Sequence, residues 1–326
     1  WQPDDAVEGH TPLSRVNAVA WSPDGSSLAT GRGERDARVW QAGGAEPLQW
    51  SSVAPLRAQR GWVTCLAWSP RGDRLLTGNV DGTVRLWQAA GFAPPQWDVV
   101  ATLAGHAEAV TAVAWSPDGG RIASGSCGAE LRVWEAAPGE SGPDCLQWAE
   151  AAALEGHLDR VTAVDWSPDG GSLLSASGDT TARAWRAADG WREPAVLAGH
   201  SDVVAAVAWA PDGRRALTGS HDRTARVWQE GAGHESAWAV LATLRGHTGK
   251  VTAVAWSPDG RLAATGGGDR TVRLWEGSGA AGRWEAVAVL RGHAAVVTAV
   301  AWSPLGDRLA CGSSDASTAV WRAVGP

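Results

Sequence analysis

A hydroxyl, an imidazole and a carboxylate are the parts of a nucleophilic hydrolase: the carboxylate orients the imidazole, and the imidazole takes the hydroxyl proton. The chain holds three such sets at one fixed spacing, namely His157, Ser175 and Asp179; His200, Thr218 and Asp222; and His247, Thr265 and Asp269. In each set a tryptophan follows the acid by six residues, at Trp185, Trp228 and Trp275. An active site needs one constellation. Three in equivalent places point to a repeated structural cluster, so catalysis by these residues is not expected.

The elements that would hold such groups are legible in the stretch 246–275. It opens on Gly246-His247, and Val251, Val254 and Trp256 mark a short β-rich run. Ser257-Pro258-Asp259-Gly260 follows, with proline and glycine where a tight turn wants them. A second run covers 262–265, and a third, 271–275, alternates apolar or β-branched residues with polar ones. One sheet of three strands cannot bury both of its faces, so it needs copies of itself.

The copies are present. The first-strand tryptophan recurs at Trp21, Trp68, Trp115, Trp166, Trp209, Trp256 and Trp302, and the third-strand tryptophan at Trp40, Trp87, Trp134, Trp185, Trp228, Trp275 and Trp321. The two are 19 residues apart in every copy, whereas the spacing between copies runs from 43 to 51. All length variation therefore falls outside the three-strand unit. The Gly-His start, the Ser-Pro-Asp-Gly turn and the Asp-x-Thr-x-x-x-Trp ending resemble the WD40 repeat family, with seven repeats over essentially the whole chain. In that family the histidine, hydroxyl, acid and tryptophan form a buried hydrogen-bonded tetrad that ties the second and third strands to the Gly-His turn. The other repeats depart from it. Gln59 replaces the histidine in repeat two, Glu34 the aspartate in one, Gly128 the aspartate in three and Cys311 the hydroxyl residue in seven, so those four blades are expected to be held less firmly.

A further tryptophan stands nine residues before each histidine position, at Trp1, Trp50, Trp97, Trp148, Trp191, Trp238 and Trp284, and marks a fourth strand. The last repeat ends at Trp321 with only five residues after it, so residues 1–8 are expected to supply its outer strand. The expected fold is all-β: a seven-bladed β-propeller of four-stranded blades, residues 1–326 forming a single domain, closed by the N-terminal strand joining the C-terminal blade. This lattice uses 21 of the 22 tryptophans as packing between blades, leaving Trp62 outside it. The Gly-, Ala-, Pro- and Glu-rich linkers between third and fourth strands, such as 135–145 and 229–236, read as surface hairpin loops.

Composition narrows the function. A net charge of −7 argues against nucleic acid as the main partner. No apolar run is long enough for a membrane helix and no secretory segment opens the chain, so membrane insertion is not expected. Cys65, Cys127, Cys145 and Cys311 show no CxxC spacing and occupy unrelated repeat positions. No metal site, cofactor or disulfide framework is therefore expected, and a reducing, cytoplasmic compartment is. Phe92, Ile122, Asn17, Asn79 and Lys250 are the only residues of their types, and Tyr and Met are absent, as an extremely GC-rich coding sequence would give.

Function is sought among residues that the scaffold does not require. Propellers of the resembled family bind partners on the rim where one repeat's fourth strand enters the next repeat. Three residues after the histidine position, that rim carries Arg15 (after a two-residue insertion), Trp62, Ala109, Arg160, Val203, Lys250 and Val296. The turns before the tetrad acid add Gly33, Val80, Cys127, Gly178, His221, Gly268 and Ser314. Cations, one aromatic and small apolar groups suit an acidic or amphipathic peptide, so a non-enzymatic scaffold for other protein subunits is expected. A narrower resemblance is to the WD40 subunit of cytosolic iron–sulfur cluster targeting, and also to WD40 subunits of the actin-branching complex and of vesicle coats. An enzyme with a site in the central channel is the third class. The inner strands are mostly Val, Thr and Ala, with Asp165 alone where the other six repeats have alanine.

Overall fold

The innermost strands show why the repeats close on one another. Each has six residues, from Val16–Trp21 in blade one to Val297–Trp302 in blade seven. In the computed structural model, which describes residues 1–6, 15–32, 37–43, 50–56, 61–90, 96–139, 142–231, 237–278 and 283–323, each begins a four-stranded antiparallel sheet. There are seven such sheets. Among the described residues there is no α-helix, and no helix is long and apolar enough to cross a membrane.

Six blades run inner, second, third and outer strand in chain order. The seventh borrows its outer strand. Gln2–Ala6 pairs with Thr318–Arg322, Gln2 opposite Arg322 and Ala6 opposite Ala319. Trp1 then packs edge-on against Trp302, with ring centroids 5.4 Å apart and planes at 77°. The same T-shaped pair recurs in the other six blades, from Trp21–Trp50 to Trp256–Trp284. Such geometry sets a ring edge against a ring face, which the aromatic quadrupole favours.

The core lies between blades. Between blades five and six, for example, Leu217, Ala225, Val227 and Leu244 pack against Val251, Val254, Trp256 and Trp275. Close approach requires glycine here: a Cβ on Gly219 would lie 2.7 Å from Val254 Cγ1. On the opposite face, each turn glycine that follows the first strand has positive φ and touches the preceding blade's turn proline. Gly72 meets Pro23, and Gly25 meets Pro304 across the closure.

Every inner strand also carries a β-bulge at its second residue. A bulge re-aims one side chain out of the ladder, and here the chain so released reaches the next blade. Thr64 Oγ1 donates to the Val110 carbonyl, Thr111 to Val161, Thr162 to Val204, Thr252 to Val297 and Thr298 to Val16, each at 2.5 Å. Asn17 Nδ2 donates to Val63 at 2.8 Å. Only Ala205, at the junction of blades five and six, has no group to give.

Two expectations need correction. The linker 135–145 is not a bare loop in blade three, because Leu131–Gly139 and Gly142–Leu154 stay paired through most of it. In blade four the outer strand shrinks to Ala195–Leu197. Trp191 precedes it, after the 3-10 turn Ala187–Asp189, at φ +66°. The tryptophan still reaches Trp166, at 5.7 Å, without being in a strand.

Candidate partner-binding rim

The three hydroxyl–histidine–aspartate sets fold into one geometry. His157 Nδ1 lies 2.8 Å from Asp179 Oδ2, Nε2 lies 2.7 Å from Ser175 Oγ, and Trp185 Nε1–H donates to the same Oγ at 2.8 Å. In blade five the matching distances are 2.7, 2.8 and 2.8 Å through Asp222, Thr218 and Trp228. In blade six, through Asp269, Thr265 and Trp275, they are 3.0, 2.8 and 2.9 Å. Donor counting assigns the protons. The carboxylate only accepts, so Nδ1 carries hydrogen; the indole only donates, so the hydroxyl accepts from it and donates to Nε2.

The order of groups is that of a hydrolase, yet the hydroxyl is out of reach. Ser175, Thr218 and Thr265 are 0% exposed, and each hydroxyl oxygen already accepts the indole N–H. Burial, the largest cause, holds His157, His200 and His247 below the usual histidine range, so the imidazoles stay neutral. Burial also raises the aspartates. Hydrogen bonds from threonine and histidine outweigh it and bring Asp179 and Asp222 down to about 2.

Departures from the tetrad behave differently from one another. Blade three lacks the aspartate at Gly128, but Glu130, two residues on, supplies a carboxylate 3.2 Å from His106 Nδ1. His106 Nε2 meets Ser124 at 2.7 Å and Trp134 donates to Ser124 at 2.9 Å, so this blade is completed rather than broken. Blade seven is broken. Cys311 is fully buried, and His293 Nε2 and Trp321 Nε1 have no hydrogen-bond partner among the described residues. His293 Nδ1 turns to Ser317 Oγ at 2.9 Å, with Asp315 3.7 Å away. In blades one and two Trp40 and Trp87 donate to Thr30 and Thr77, while His10, Glu34 and Gln59 lie outside the described residues.

The two rows of rim positions come together. Val80 N–H donates to the Trp62 carbonyl, Cys127 to Ala109, Gly178 to Arg160, His221 to Val203, Gly268 to Lys250 and Ser314 to Val296, at 2.7 to 3.2 Å. Gly33 lies outside the described residues. Arg15, Trp62, Arg160 and Lys250 are exposed, whereas Val203, His221 and Val296 are half-buried. Burial, followed by the charges of Lys250 and Arg160, holds His221 below its usual range against the pull of Asp202. These groups of blades four, five and six thus share one electrostatic neighbourhood. Leu158, 88% exposed beside the blade-four tetrad, was not singled out by the sequence; an apolar residue directly after the histidine was the available signal.

Asp165 does not open onto a cluster. Its Oδ2 accepts the Trp209 backbone N–H at 2.8 Å, and burial pushes its pKa up to about 7. No group of three or more metal-ligating side chains occurs among the described residues. Cys65, Cys127 and Cys311 are free thiols, and burial pushes Cys65 up to about 12.

Comparison with known families gives a match to the WD domain, G-beta repeat, at residues 1–41, 50–88, 97–135, 148–186, 191–229, 238–276 and 284–322. Each matched segment begins at the tryptophan nine residues before the histidine position, and the seven together cover most of the chain. No curated protein matches it.

Proposed function

The chain belongs to the WD40 repeat family, and from that premise we propose that it is a non-enzymatic scaffold within a larger assembly. Its rim at Arg15, Trp62, Arg160, Val203, His221, Lys250 and Val296 docks an acidic or amphipathic segment of a partner protein. WD40 propellers generally serve as protein-interaction scaffolds. The observation that carries the reading is Trp62. The other 21 tryptophans are buried or half-buried, while Trp62 is 60% exposed. Exposed tryptophan is enriched among the residues that dominate binding energy.

The tetrad residues are structural in this account, because their hydroxyls are buried and already saturated. The negative chain makes protein rather than nucleic acid the main partner. Free thiols at Cys65, Cys127 and Cys311 fit a reducing cytoplasm. Affinity purification from the native source, followed by mass spectrometry, tests the proposal. A stoichiometric protein complex is expected; a lone chain that turns over a small molecule would contradict it.

A further inference from the structure

Asn17 and Asn79 are the only asparagines in the chain, and both are spent at one place. Asn17 stands at the bulged inner-strand position where five other blades have threonine. Its Nδ2 makes the junction bond to the Val63 carbonyl, as threonine would. Its Oδ1 does something threonine cannot: it accepts Arg15 Nε at 2.6 Å. The Arg15 guanidinium is thereby held at the seam between blades one and two, and neither Nη group is bonded to a described residue. Among the described residues no carboxylate pairs with it.

Asn79 lies opposite Val63 in the neighbouring strand. Its Nδ2 donates to the Thr83 carbonyl at 3.0 Å, which staples the turn carrying Val80. Val80 is 41% exposed and follows Trp62 through their backbone bond. Gly61 makes the fit possible, since a Cβ there would lie 2.7 Å from Val80 Cγ2. An apolar platform of Trp62 and Val80 therefore belongs to the same seam as a positioned cation that no described carboxylate neutralises.

Resting on the rim reading above, we infer that this seam recognises an internal segment of a partner protein in which an apolar side chain stands close in sequence to an aspartate or glutamate. The apolar group lies on Trp62 and Val80 and the carboxylate takes the Arg15 fork, whose planar donors suit two carboxylate oxygens. The adjoining rim positions, Ala109 and Val296, are half-buried. The segment so proposed is internal, so the carboxylate is a side chain and not a chain end.

Fluorescein-labelled peptides, acetylated and amidated, with a central Leu-Glu or Leu-Gln, are titrated against the full chain by anisotropy. The wild type is expected to bind the Leu-Glu peptide and to prefer it over Leu-Gln. Trp62→Ala should weaken binding about thirtyfold, and Arg15→Gln should abolish the preference for Glu. Leu158→Ala, exposed elsewhere on the rim, should leave both unchanged. Val80→Ser carries the same test as Trp62→Ala should that variant melt early. No binding to wild type, binding only by peptides with a free C-terminal carboxylate, or equal loss in Leu158→Ala would each overturn the inference. Partner capture from the native source separates the two levels. If Trp62→Ala and Arg15→Gln retain the partner while Lys250→Glu loses it, the seam assignment fails and the scaffold stands. If wild type captures no protein, the scaffold itself fails.

Discussion

A buried imidazole is useful to this molecule because it is neutral. Burial, the largest cause, holds His106, His157, His200, His247 and His293 below the ordinary histidine pKa. Unfolded, the same side chains take up protons below about pH 6.5, so their stabilising contribution is full above that pH and is lost as the pH falls through it. With Asp165, whose raised pKa acts in the opposite direction, replaced by alanine, the melting temperature should therefore drop between pH 7 and pH 5, well before the tetrad aspartates near 2 titrate; a flat profile would contradict neutral tetrads. Cys311 is the complementary case, since sulfur leaves His293 Nε2 and Trp321 Nε1 unpartnered. Cys311→Ser should restore both bonds and stabilise by about 1–2 kcal/mol, which thermal unfolding would register as a rise; a fall would mean that the site cannot use a hydroxyl. The defect at Cys311 was legible from residue type alone. The rescue by Glu130 was not, because its position in the repeat belongs to a threonine in four of the other six repeats and only side-chain reach reveals that its carboxylate meets His106.

At the scale of strands, the sequence was most informative where spacing was rigid. The constant interval between first- and third-strand tryptophans located three strands in every blade, and the phase of Trp1 located the borrowed one. It was least informative where the linkers vary: pairing continues into 135–139 of blade three but stops short in blade four, and Gly/Ala/Pro composition does not distinguish the two. The bulge was also invisible, since Thr252 reads as an ordinary strand residue until the register shift between Val251 and Ala253 is seen. The borrowed strand makes the firmest demand. Removing residues 1–7 takes Trp1 from Trp302 and bares the edge of Thr318–Arg322, for a loss of about 3 kcal/mol or more and a tendency to self-associate. An unchanged melting temperature and sedimentation as a monomer would refute closure by that strand.

Seen whole, the molecule is a ring whose junctions are near copies, and its exceptions are confined to few places. Asp165 is one of them. Its pKa of about 7 lies above the unfolded value, so ionisation costs stability at pH 8 and the cost fades as the pH falls to the unfolded value near 3.8. Asp165→Ala should raise the melting temperature at pH 8, a gain of roughly 2–4 kcal/mol, and raise it far less at pH 4; the reverse pattern would assign the carboxylate a favourable partner. The rim at Arg15, Trp62 and Val80 is another, and Trp62 stands outside the paired tryptophans that join inner and outer parts of each blade. The proposed function makes scaffold and site separate sets of residues, and that is its central claim. Partner affinity and thermal unfolding, measured on the same preparations of Asp222→Ala and Trp62→Ala, test it most directly. Asp222→Ala leaves His200 Nδ1 without its carboxylate and should lose roughly 1–3 kcal/mol of stability while the folded protein binds as before. Trp62→Ala should melt like the parent and lose affinity. A stable Asp222→Ala protein that has lost a hydrolytic activity, or a Trp62→Ala protein that is unstable yet binds normally, would contradict the account.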